Sequence, residues 1–243
     1  MAGDVILKNV NKVYPNGFHA VYDFNIDIAK GEFIVLAGPS GCGKSTLVQM
    51  LLKKRNNIVL SISDTTRSPR GEEKDGIDYN FITPSEFKDN IKKGKYLEYA
   101  MVYTDKYYGT QSDFVDKNLN KGNDVILEID IEGARKVNEK RKDAVFIFIM
   151  PPSMKILKER LVGRKTETKE QVIERFKTAY KEINEVSKYN YVIVNDNLDD
   201  ALDKMNSIIT CEKCRVDRIE ELDVGNQEEI IHEILVDFNN KGD

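Results

Sequence analysis

Four apolar residues, Phe33-Ile34-Val35-Leu36, run into Gly38-Pro39-Ser40-Gly41-Cys42-Gly43-Lys44-Ser45, and Thr46 to Lys54 then reads as a helix. A continuous apolar run suits a strand buried on both faces of a parallel sheet. The octapeptide fits G-x-x-x-x-G-K-[ST], and strand, glycine loop and helix in that order is the context this motif requires. The arrangement commits the chain to an α/β fold with a phosphate loop at a strand end. In such a loop the backbone from Gly38 to Thr46 approaches the phosphates of a nucleoside triphosphate. Lys44 supplies charge to the β/γ oxygens, and the Ser45 hydroxyl is placed to bind Mg²⁺.

The other elements follow from periodicity. Ile58 to Ser63, Val125 to Ile131, Val145 to Met150 and Tyr191 to Val194 read as further strands, and residues 199 to 213 as a helix. Residues 153 to 187 carry two helical patterns separated by Gly163-Arg164-Lys165-Thr166-Glu167-Thr168. The stretch from Asp64 to Asn120, rich in Gly, Tyr and charge, reads as an inserted ligand-binding region. Ahead of the phosphate loop, residues 4 to 30 read as antiparallel β-structure turning at Pro15-Asn16-Gly17. From about Ile219 the chain is an acidic tail, with Ile230, Ile231, Ile234, Leu235 and Phe238 spaced like one face of a short helix.

Composition excludes several classes. At 243 residues, 40% hydrophobic and 32% charged with a net charge of −4, the chain is too acidic to cling nonspecifically to nucleic acid. Its longest apolar run, Ala144 to Met150, is too short to span a bilayer, and no signal-peptide core precedes it. Cys42 lies in the phosphate loop, and Cys211-x-x-Cys214 lacks two further metal ligands, so free thiols in a reducing cytoplasm are expected.

About twenty residues past the loop, Ser61-Ile62-Ser63-Asp64-Thr65-Thr66-Arg67-Ser68-Pro69-Arg70 places two arginines three apart, fork-shaped donors for a second phosphate. The stretch continues through Gly71-Glu72-Glu73-Lys74-Asp75-Gly76-Ile77-Asp78-Tyr79-Asn80-Phe81. Further on stand Tyr107-Tyr108-Gly109-Thr110, then Leu127-Glu128-Ile129-Asp130-Ile131-Glu132-Gly133, and finally Arg160, Arg164 and Arg175 around Thr166-Glu167-Thr168. From about Gly31 to Arg218 this set resembles the guanylate kinases. The resemblance implies transfer of the ATP γ-phosphoryl group to GMP with Mg²⁺, in the cytoplasm, with ATP and GMP as partners; neither nucleic acid nor membrane is expected, and the oligomeric state is left open. It implies a GMP phosphate held by Arg67, Arg70, Tyr79 and Tyr108, with Glu73 bracing their loop. Guanine would be read by Ser63, Glu98, Thr110 and Asp130. The chemistry agrees independently: carboxylates accept from the N1–H and N2–H₂ donors of guanine, and a hydroxyl suits its O6. Arg160, Arg164 and Arg175 correspond to lid arginines that stabilise charge on the transferring phosphoryl group, and Asn195-Asp196 to a loop contacting adenine. Glu132 departs from the usual glutamine.

The fold expected is α/β: a P-loop NTPase-type core with a parallel sheet, a GMP-binding insertion (about 63–115) and a helical lid (about 160–176), with an extra antiparallel β-segment at the N-terminus. The core would span 31–218, between an extension at 1–30 and a tail at 219–243. The extension and phosphate loop together, about residues 4 to 47, resemble the start of a sugar-importer-type ABC transporter ATPase, where the residue matching Tyr14 stacks on adenine. An ABC ATPase fragment is one alternative, although neither an L-S-G-G-Q signature nor a D-E pair follows. A non-catalytic guanylate-kinase-like binding module is another, set against the presence of Lys44, Arg164 and Arg175.

Overall fold

The computed structural model describes residues 6–28, 31–102, 106–162, 169–216 and 219–223. The chain divides into two compact units, Lys30–Glu212 and a second made of Gly3–Ala29 with Lys213–Asp243.

In the larger unit, strands β3 (Phe33–Ala37), β4 (Ile58–Leu60), β9 (Asp124–Glu128), β10 (Val145–Met150) and β11 (Tyr191–Val194) form a parallel five-stranded sheet in the order β11-β10-β3-β9-β4. Side chains alternate faces along a strand, so the apolar run of β3 serves two cores. Ile34 and Leu36 pack with Leu47, Val48 and Leu51 of α1 (Lys44–Lys54) and Met205 and Ile209 of α7 (Leu198–Glu212). Phe33, Val35 and Ala37 pack with Val115 of α3 (Ser112–Leu119) and with Ala134 and Val137 of α4 (Ile131–Lys140). β3 leads into the phosphate loop, and its neighbour β9 ends beside it. Open α/β sheets bind ligands in the crevice at such carboxyl ends.

Between β4 and β9 the chain builds a four-stranded sheet in the order β6-β5-β8-β7, from β5 (Asp64–Thr65), β6 (Asn80–Phe81), β7 (Tyr96–Val102) and β8 (Lys106–Gln111). Helix α2 (Pro84–Lys92) belongs to the same insertion. Thr83 caps it by accepting from Glu86 N at 3.2 Å, and proline occupies its first turn. The sequence names no strands inside this insertion, and β5 and β6, at two residues each, are too short to show a period. One buried carboxylate organises it. Asp64, 0% exposed, accepts from Asn80 Nδ2 at 2.9 Å, Tyr96 Oη at 2.8 Å and Gln111 Nε2 at 2.9 Å, so β5, β6, β7 and β8 all meet on it.

Two strand expectations run too long. The segment from Ile58 ends as a strand at Leu60, and β9 ends at Glu128 rather than Ile131. Asp130 ends the second because it caps α4, its Oδ1 accepting from Gly133 N at 2.7 Å. The two helical patterns around the lid are α5 (Met154–Val162) and α6 (Lys169–Ile183); the connecting residues 163–168, Arg164 included, lie outside the described residues.

The smaller unit is a three-stranded antiparallel sheet. β1 (Ile6–Val13) and β2 (His19–Ile28) form the expected hairpin, closed by Gly17 at φ 82° with its N–H on Tyr14 O at 2.9 Å. Its third strand was not anticipated. β12 (Ile219–Asp223), from what reads as an acidic tail, pairs antiparallel with β2. The apolar positions expected on a helix at 230–238 lie outside the described residues.

Candidate active site

The phosphate loop is shaped by close backbone packing. Gly38 has φ 144°, and a Cβ there would stand 2.2 Å from Ile149 O; Gly43 has φ 96°, and a Cβ there would meet Asn195 Nδ2 at 2.3 Å. Only glycine suits either position. Gly43 caps α1 without a side-chain hydrogen bond, and no acidic residue occupies the first turn of that helix. Its first N–H groups and its dipole therefore favour an anion at this end. Lys44 Nζ donates to Gly38 O at 2.6 Å, folding the ammonium over the loop's own mouth. Cys42 is fully buried beneath it. Burial pushes its thiol up, partly offset by Lys44, so it packs as a small apolar residue.

Ser45 Oγ donates to Glu128 Oε1 at 2.7 Å, placing two hard oxygen groups where β9 ends beside the loop. Asn195 is 1% exposed, and its Nδ2 donates to Cys42 O at 2.8 Å. Its backbone carbonyl accepts from Arg160 Nη2 at 3.1 Å. The Asn195 side chain thus supports the backbone of the phosphate loop.

The two arginines of the insertion have different surroundings. Arg67 is 7% exposed and makes a two-pronged pair with Glu73, at 2.6 and 2.8 Å. Its Nε donates to Tyr108 Oη at 3.0 Å, and its guanidinium lies 4.7 Å from the Tyr79 ring centre. Glu73 also accepts from Arg70 N at 2.8 Å, while the Arg70 side chain is exposed. The hydrogen bonds from Arg67 hold the Glu73 carboxyl below its usual range, and Glu73 in turn pushes the guanidinium up. Glu73 braces the loop and orients Arg67, and Arg70 extends into solvent beside them.

At the other end Glu98, 6% exposed, accepts from the fully buried Thr110 hydroxyl at 2.7 Å. That proton is therefore donated to Glu98, and Ser63 is a further hydroxyl of the insertion that lines the cleft. A Cβ on Gly133 would lie 3.3 Å from Asp130 Oδ1 and 3.4 Å from Glu98 Oε2, so the two carboxylates converge on one point. Burial pushes the Glu98 carboxyl up; the Thr110 hydrogen bond opposes this and the Asp130 charge adds to it. Tyr107, by contrast, packs at a tilt against Phe87, its ring centre 5.2 Å away. Glu132 pairs with Arg135 on the exposed face of α4, at 2.7 Å.

Part of this set lines one cleft of about 390 Å³, while Ser45, Arg67, Arg70, Thr110, Arg160 and Asn195 are not among its lining residues. Gly38, Ser40 and Lys44 line it from the loop, Ser63, Tyr79, Glu98 and Tyr108 from the insertion, and Glu128 and Asp130 from the end of β9. A family model described as guanylate kinase matches residues 30–212, nearly the same stretch as the larger unit. The chain belongs to the guanylate kinase family.

It is 53% identical over 208 residues to a guanylate kinase of Clostridium perfringens, covering 86% of this chain and 96% of that protein. The likeness to a guanylate kinase of Clostridium tetani is 54% over 208 residues, covering 86% of this chain and 99% of that one. The crystal structure of guanylate kinase from Anaplasma phagocytophilum superposes with a TM-score of 0.66 at 35% identity, covering 80% of this chain and 93% of that one. Within this family fold, sequence reading passed over Glu128, Asp64 and Glu182. The first is the other acid of Leu127-Glu128-Ile129-Asp130 and could have been weighed there. The second finds its partners 16 to 47 residues further along the chain, and the third lies on a helix whose cleft-facing side no motif marks.

Proposed function

We propose that this protein transfers the γ-phosphoryl group of ATP to GMP, forming ADP and GDP. The observation that carries the reading is the shared cleft: a phosphate loop faces a guanine-matched carboxylate pair, Glu98 and Asp130, across a single cavity. Guanine would present N1–H and N2–H₂ to these carboxylates and O6 to Ser63, with Thr110 fixing the orientation of Glu98. Adenine has the opposite polarity at position 6 and leaves both acids without donors. Arg70, Tyr79 and Tyr108 would take the GMP phosphate, with Arg67 held for it by Glu73.

Gly38, Pro39, Ser40, Gly41, Cys42, Gly43, Lys44, Ser45 and Thr46 would hold the ATP phosphates, and Asn195 keeps that loop in shape. The GMP phosphate is already ionised near neutral pH, so no general base is needed. Positioning and electrostatics supply the rate. Lys44 would balance charge on the β/γ oxygens, and Arg160, Arg164 and Arg175 would add to it as the lid closes and water leaves. The hard oxygens of Ser45 and Glu128 would suit Mg²⁺ and would hold it beside the phosphate loop. Bound there it would neutralise charge on the ATP phosphates. The cysteines of the described residues are free thiols, in keeping with a reducing cytoplasm.

Transfer of labelled γ-phosphate tests the reading. GMP-dependent formation of ADP and labelled GDP is expected, and Lys44→Ala should abolish turnover while GMP still binds. ATP hydrolysis indifferent to GMP would point instead to an ATPase, and GMP binding without transfer to a non-catalytic module.

A further inference from the structure

One group lining the cleft has no place in the scheme so far. Glu182 is half-buried on α6, among Lys44, Ser40, Ile129 and Asp130 at the cavity wall. Among the described residues, no hydrogen bond or ion pair engages its side chain. Burial pushes its carboxyl up; Lys44 pulls it down and Asp130 pushes it further up, so its charged neighbours are one group from each half of the site. It stands seven residues after Arg175. That spacing is two helical turns, so one face of α6 carries both residues.

A desolvated carboxylate needs donors, and the proposed acceptor offers few that remain unassigned. The polar edge of guanine falls to Glu98, Asp130 and Ser63. The phosphate is an anion and would repel a second carboxylate. Between base and phosphate lies the ribose, with two O–H donors, and carboxylates are known partners for ribose hydroxyls in nucleotide sites. We propose that Glu182 reads the ribose of the acceptor nucleotide, its carboxylate accepting a hydrogen bond from the 2′- or 3′-hydroxyl. The assignment rests on the phosphotransfer reading above and adds sugar recognition from the helix that follows the lid.

The test compares GMP with its 2′-deoxy and 3′-deoxy analogues as acceptors for the full chain. In the wild type, the analogue lacking the hydroxyl that Glu182 reads should show a KM about five- to tenfold above that of GMP. Glu182→Ala should raise the KM for GMP to that of this analogue, while the analogue's own KM and the KM for ATP stay within about twofold. Glu182→Gln keeps an acceptor oxygen and the same volume, should retain part of the discrimination, and decides the matter if the alanine variant does not fold. A wild type that treats all three acceptors alike, or variants that lose equally on all three, would overturn the assignment. Absence of transfer to any of them would instead defeat the phosphotransfer reading itself.

Discussion

Ser45 Oγ donates to Glu128 Oε1 across 2.7 Å, tying the phosphate loop to the end of the adjacent strand. In the sequence, Asp130 is the acid at the strand end that suggests a second role near a metal, beside reading guanine. In the structure its Oδ1 caps α4, and Glu128 is the acid that reaches the loop. Glu128→Gln is therefore expected to raise the Mg²⁺ concentration for half-maximal activity by about 10- to 100-fold. Asp130→Asn should leave that value nearly unchanged and raise the KM for GMP. A Mg²⁺ titration of both variants checks the division of labour; equal shifts would contradict it.

Glu73 is depressed by its pairing with Arg67, and the sign of the linkage follows. A carboxyl whose folded pKa lies below its unfolded value contributes stability above the unfolded pKa. That contribution is lost as pH falls through the folded one. Glu73→Gln should cost about 1–3 kcal/mol near neutral pH and flatten part of the acid limb of the stability profile. It should also raise the KM for GMP more than that for ATP. Denaturation at a series of pH values, alongside steady-state kinetics, measures both.

Glu98 is raised, with burial as the main cause, and it must be ionised to accept from guanine. Affinity for GMP should therefore fall as pH drops through its raised pKa, while affinity for ATP does not follow. Glu98→Gln should weaken GMP by about 10- to 100-fold at neutral pH and remove that part of the pH dependence. KM for each substrate from about pH 5 to 8 is the readout. Parallel profiles for GMP and ATP would show that Glu98 is not the guanine acceptor.

Asp64 holds four strands through neutral donors alone. Asp64→Ala leaves the buried Tyr96 hydroxyl and the half-buried Asn80 and Gln111 amides short of an acceptor, and a loss of about 2–4 kcal/mol is expected. Because the insertion supplies most of the groups proposed to hold the monophosphate and guanine, residual folded protein should lose GMP affinity before ATP affinity. Urea denaturation and ligand titration together decide this.

The sequence by itself determined the phosphate loop and the parallel strands around it, and through its resemblance it named candidate residues for a second nucleotide, of which Ser63, Tyr79, Glu98, Tyr108 and Asp130 line the cleft. Those features are local: a loop needs glycines at fixed offsets, a doubly buried strand needs consecutive apolar residues, and Arg67 and Arg70 lie within one short segment. Only the tertiary structure decided which acid meets Ser45, that Thr110 gives its proton to Glu98, that Asn195 supports the loop backbone, and that Ile219–Asp223 pairs with β2. These are pairings between residues far apart in the chain. Hydrogen bonds and burial depend on where folding brings the partners, and periodicity in one segment carries no record of the other.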